Sequence, residues 1–112
     1  MKIAVISDIH GNMEALEAVM EDIKKAGCEK VFTLGDYAMA GPEPAIALDW
    51  AMSKAENPNY YMIQGNTDLM IVDYTDKLYN ELKDKAPVMA EALKDDFLRI
   101  NPNQKDFLRN LP

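Results

Sequence analysis

Four residues have side chains and positions suited to holding a metal ion: Asp8, His10, Asp36 and Asn66. Asp8 and His10 fall in the segment Ser7-Asp8-Ile9-His10-Gly11-Asn12. A carboxylate oxygen and an imidazole nitrogen both suit transition metals. Two residues apart on an extended backbone, the pair can point the same way. Asp36 follows Gly35 and Asn66 follows Gly65. The two oxygens of Asp36 could bridge two ions, and Asn66 could offer an amide carbonyl oxygen. Two metals ~3.5–4 Å apart form a clamp that holds a phosphate and activates a water.

The surrounding elements must bring these residues together. Ile3 to Ile6 is a short, β-branched apolar run, long enough for one buried strand and too short for a helix. The runs 31–34 and 60–63 have the same form, and Asp8, Asp36 and Asn66 each lie just past one of them. Between the runs the spacing turns helical. Met13, Leu16, Val19, Met20 and Ile23 predict a helix over about 12–26, with Gly27 as its stop. A loop over 37–44 precedes a second helix over about 43–54, apolar almost all round. Strand, helix, strand, helix, strand predicts three parallel strands joined by right-handed crossovers. Neighbouring strands lie ~5 Å apart, so side chains at adjacent strand ends can converge. In open α/β sheets ligands bind outside these carboxyl ends.

The remainder reads as helical and polar. One helix starts near Leu69, and Leu78, Tyr79 and Leu82 continue its pattern. Pro87 opens another, with Val88, Met89, Ala92, Leu93 and Phe97 on one face. Asn101-Pro102-Asn103-Gln104 has the form of a capping box for a last short helix.

The chain has 112 residues, 48% of them hydrophobic, which fits one domain with a core. Cys28 is the only cysteine, so no internal disulfide forms and a cytoplasmic location is the expectation. A net charge of −7, with no Lys/Arg cluster, argues against nucleic acid and anionic membrane as partners. No apolar run reaches the ~20 residues of a membrane span.

Asp8-Ile9-His10-Gly11-Asn12, Gly35-Asp36-Tyr37, Ala40-Gly41-Pro42-Glu43-Pro44 and Gly65-Asn66-Thr67-Asp68 together resemble the calcineurin-like metallophosphoesterase superfamily, in particular its small bacterial and archaeal phosphodiesterase branch. The resemblance implies an α/β fold, the parallel-stranded half of an α/β/β/α sandwich with a helical C-terminal part. It implies Asp8, His10, Asp36 and Asn66 as metal ligands, with Asp36 and Asn66 serving catalysis. Two divalent ions (Mn, Ni, Fe, Mg or Zn) would activate water against a small phosphoester substrate. The chain departs from the pattern twice. Thr67 stands where the family usually has a histidine, and the later Gly-His-x-His segment is absent. Residues 1–112 therefore read as a single domain lacking its C-terminal half. Such a domain would leave a sheet uncovered and invite homo-oligomer formation.

Plainer roles compete at several positions. Asp8 and Asp36 could be turn or helix-cap residues, and Asn66 and Asn12 could cap the helices that follow them. Asp68 fits a first-turn helix acid. Two other functions stand beside hydrolysis: a protein-interaction scaffold on a catalytically weakened site, towards which Thr67 leans, and a receiver-like acidic pocket, against which the Asp-x-His pair argues.

Overall fold

The three apolar runs pair as a parallel sheet in the order β1-β2-β3, with β1 at Ile3–Ile6, β2 at Lys30–Thr33 and β3 at Tyr60–Met62. The computed structural model describes all residues, 1–112. Val5, Phe32 and Tyr61 share one row across the sheet. Leu34 and Ile63, expected as strand residues, lie one step past the strand ends. Their N–H groups still continue the ladder, to Ile6 O at 2.9 Å and Thr33 O at 3.1 Å.

The crossovers are α1 (Met13–Ala26) and α2 (Pro44–Lys54). Asn12 caps α1, its side-chain oxygen accepting from the Ala15 N–H at 3.0 Å. Gly27 ends the helix in the left-handed conformation, φ 73°. Pro44 opens α2 at a position where its missing N–H costs nothing. This helix is not covered all round as its composition suggested: Ala47, Leu48 and Ala51 are buried, but Ile46 is 50% exposed.

Four further helices follow: α3 (Asn66–Val72), α4 (Asp76–Lys85), α5 (Pro87–Arg99) and α6 (Pro102–Asn110). The single helix expected after Leu69 is in fact two, and the first begins at Asn66. Thr75 separates them, because its hydroxyl accepts from the Leu78 N–H at 3.1 Å and starts a new helix. The capping box of α6 forms as the sequence predicts: Asn101 accepts from the Gln104 N–H at 2.8 Å, and Gln104 accepts from the Asn101 N–H at 2.9 Å.

One apolar core joins the sheet to these helices through Ile9, Leu16, Tyr37, Leu48, Ile71 and Leu93. Gln104, nearly buried, donates to Ala45 O at 3.0 Å and Asp49 Oδ1 at 2.9 Å, which ties α6 to α2. The opposite sheet face is open. Val5 is 58% exposed and Tyr61 42% exposed, with Phe32 stacked on Tyr61 at 4.8 Å. Parallel sheets are usually covered on both faces.

Candidate metal centre

The loops leaving β1 and β2 run side by side. Asp8 N–H donates to Gly35 O at 3.2 Å, His10 N–H to Asp36 O at 3.0 Å, and Gly11 N–H to Tyr37 O at 2.9 Å. These bonds bring Asp8, His10 and Asp36 together, each able to offer one ligand atom, all within 4.8 Å of one another. The backbone there is not extended, contrary to the sequence expectation. Asp8, His10 and Asp36 sit at φ 59°, 49° and 59°. The pair converges because each residue turns into the left-handed region. That region is unfavourable for most side chains, though Asp, Asn and His tolerate it better.

Close backbone approach makes the cluster possible. A Cβ on Gly65 would lie 2.2 Å from Asp36 Oδ1, and one on Gly41 would lie 1.5 Å from His10 O. Only glycine admits these contacts.

The imidazole orientation is fixed from behind. His10 Nδ1 lies 3.1 Å from both Ala38 O and Met39 O. Two acceptors assign the proton to Nδ1 and leave a lone pair on Nε2 in the neutral ring. Nε2 faces Asp8 Oδ1 at 3.1 Å. A cation between them would meet both lone pairs. Ser7 hydroxyl, 2.6 Å from Asp8 Oδ2, holds the Asp8 carboxyl below its ordinary range, and the His10 ring acts in the same direction. Asp8 is therefore an anion across the neutral pH range, as a ligand must be.

Asp36 is nearly buried. Its Oδ1 accepts from the Thr67 N–H at 2.9 Å and the Thr67 hydroxyl at 2.7 Å. A carboxylate oxygen has about two lone-pair sites. Oδ1 is thus fully engaged, and Oδ2 is the oxygen free to meet an ion.

Asn66 is the first residue of α3, and its side chain is exposed. The cap itself is Gly65, so the competing reading of Asn66 as a helix cap does not hold. The neighbouring Thr67 makes the bonds to Asp36.

The sequence understated two acids. Asp68 is fully buried and binds three N–H groups: Asp36 and Gly65 at 2.8 Å through Oδ2, and Tyr37 at 3.1 Å through Oδ1. It is a first-turn helix acid, as expected, but it also joins the loops after β2 and β3. Burial pushes its carboxyl up, and the three N–H groups pull it back. Asp96, 1% exposed, accepts from the Met39 N–H. Burial raises its pKa too. Arg99 donates to Pro42 O at 2.6 Å. Through these two contacts α5 holds the loop whose carbonyls orient His10. Asp96 could have been noticed from its place between Leu93 and Ile100, both on the inward face.

The whole arrangement is a mixed oxygen and nitrogen donor set at the carboxyl ends of parallel strands, held by buried hydrogen bonds. The donors fit a divalent transition metal. The chain belongs to the calcineurin-like phosphoesterase family, whose sequence model matches residues 1–109. It is similar to phosphodiesterase YfcE of Escherichia coli K12, at 35% identity over 74 residues, 61% of this chain and 40% of that protein. A metallophosphoesterase structure from Sphaerobacter thermophilus superposes with a TM-score of 0.72 at 29% identity, over 100% of this chain and 42% of the other. The fold is shared as well with the hypothetical protein PH1004 of Pyrococcus horikoshii OT3, with a TM-score of 0.80 at 24% identity, over 98% of this chain and 47% of that one. The chain thus spans less than half the length of each. No helix is long and apolar enough to cross a membrane.

Proposed function

We propose that this chain carries the metal-binding half of a phosphoesterase active site and acts on small phosphodiesters or phosphomonoesters. The observation that carries the reading is the convergence of Asp8, His10 and Asp36 within 4.8 Å. In this reading those three residues hold the first divalent ion, manganese being a good candidate. Asp36 and Asn66 would hold a second. When bound, such ions supply positive charge to the phosphate and lower the pKa of a water.

The chain's own residues do the rest. Asp8, kept ionised by Ser7, supplies negative charge to the site. His10 presents Nε2 because two carbonyls hold its other nitrogen. Asp36 shares Oδ1 with Thr67 and has Oδ2 left for an ion, so a second ion would be held more weakly than a first. Thr67, lacking a titratable proton near neutral pH, gives no general-acid assistance. That assistance is typically worth ~10²–10⁴-fold in rate. Substrates with good leaving groups are favoured accordingly.

A manganese titration with bis(4-nitrophenyl) phosphate tests the proposal. Turnover that requires metal and falls at least 100-fold in both Asp8→Asn and Asp36→Asn supports it. Turnover that ignores metal overturns it, and no turnover with any metal overturns it and favours a non-catalytic scaffold.

A further inference from the structure

A cavity of about 530 Å³ opens beside the metal centre. His10 and Thr67 belong to its wall, and they supply the only groups there aimed from the strand ends. The rest is apolar. Met39 and Ala40 form one side, and Pro87, Val88, Met89 and Ala92 at the start of α5 form the other. Apart from the His10 imidazole, no titratable side chain lines it.

We propose that this cavity receives the organic group of the substrate, and that this group is apolar and flat or chain-like: an aryl or alkyl alcohol rather than a sugar, polyol or polyphosphate. The inference rests on the phosphoesterase reading. A phosphoryl group held at Asp8, His10 and Asp36 lies at the mouth of the cavity, so its ester substituent has this space beside it. A polyhydroxylated substituent would lose its water there without finding partners, which costs about 1–3 kcal/mol for each orphaned group. A second phosphate would meet no Lys or Arg, and the chain's net charge of −7 opposes it further. An apolar group instead gains from covering side chains now held in water: Val88 is 84% exposed and Met89 41% exposed. The volume falls in the range of sites for small organic ligands.

The wall is also held in place. Pro87 fixes the first turn of α5, and the Asp96 contact to Met39 N–H joins the two sides of the cavity. A braced pocket spends less of its binding energy on ordering.

The test compares binding of methylphosphonate and 1-naphthylmethylphosphonate to the 112-residue chain, by calorimetry in saturating manganese. The naphthyl compound should bind at least tenfold more tightly. Ala92→Phe, which fills the cavity, should abolish that advantage and leave methylphosphonate unchanged. Met89→Gln, of similar shape and at a half-exposed site, should reduce the advantage several-fold with no risk to folding. Equal affinity of the two compounds, or an advantage that survives both variants, overturns the inference and leaves phosphoester binding intact. Absence of manganese-dependent binding for both compounds overturns the phosphoesterase reading itself, and the inference with it.

Discussion

Replacing Asp68 tests how the metal centre is built. Its carboxylate takes N–H groups from Asp36, Tyr37 and Gly65, all in the two loops that must converge. Asp68→Ala leaves those three donors without a partner in a site that excludes water. Each such group costs about 1–3 kcal/mol, and partial relaxation brings the expected total to about 3–5 kcal/mol. That is a large share of the ~5–15 kcal/mol by which domains are stable. With a urea slope of roughly 2 kcal/mol per M, the unfolding midpoint should fall by roughly 2 M. Asp68→Asn is the more informative partner. Its amide oxygen can accept from Asp36 and Gly65, but its NH2 group then meets the Tyr37 N–H, donor against donor. It should lie between wild type and alanine, at a cost of about 2 kcal/mol. Manganese affinity should fall ~10–100-fold in both, because Asp36, the proposed ligand, loses its support. Urea unfolding and metal titration at neutral pH read both effects. An alanine variant within about 1 kcal/mol of wild type, with manganese affinity unchanged, would refute the view that Asp68 ties the site together.

Four further outcomes are expected. Gly41→Ala places a methyl on His10 O and should cost about 2–3 kcal/mol, visible as a lowered thermal midpoint. Asp96→Asn keeps an oxygen for the Met39 N–H and removes a buried charge. Because the folded Asp96 pKa is raised, the folded state holds the extra proton, and wild-type stability falls as pH rises from the ordinary carboxylate range through that raised value. The asparagine variant should lack this loss, so its advantage in urea unfolding should grow as pH rises above the ordinary carboxylate range. Thr67→Val removes the 2.7 Å bond to Asp36, costing about 1 kcal/mol in stability. It also frees a lone pair on Oδ1, so manganese bound per chain should rise in equilibrium dialysis. Finally, the open sheet face bearing Val5 and Tyr61 should make the isolated chain self-associate. A monodisperse species near 12.6 kDa in sedimentation would contradict that.

The elements with clear periodicity and punctuation were legible in the sequence. The α1 helix had an apolar stripe between Asn12 and Gly27, α5 had Pro87, and α6 had its capping box. The split at Thr75 was not, because Leu78 and Leu82 continue the spacing of the helix before it and only the hydroxyl's local bond reveals the break. The cluster of Asp8, His10 and Asp36 was legible as positions past strand ends. Its backbone was not: nothing in residue type separates a left-handed Asp8 from an extended one. Asp68 resembled any acid in a first helical turn, and its three partners come together only once two loops are folded. The apolar cavity combines residues 39–40 with 86–92, a pairing no local pattern encodes.

Five residues other than glycine occupy the left-handed region: Asp8, His10, Asp36, Met39 and Ala40. In general that conformation costs ~1–2 kcal/mol per residue, less for Asp and His. Folding and chemistry therefore compete for the same five positions. Glycine at Met39 or Ala40 would relax the backbone while removing part of the cavity wall, and asparagine or glycine at His10 would relax it while removing a proposed ligand. A laboratory lineage selected for heat resistance alone should drift towards Gly and Asn along 8–10 and 36–40, becoming more robust as it becomes inert. A lineage selected for turnover should keep these residues and place its stabilising changes elsewhere, on α4 and the outer faces of α1 and α6. The pattern of accumulated substitutions would then distinguish a chain kept for its reaction from one kept only for its shape.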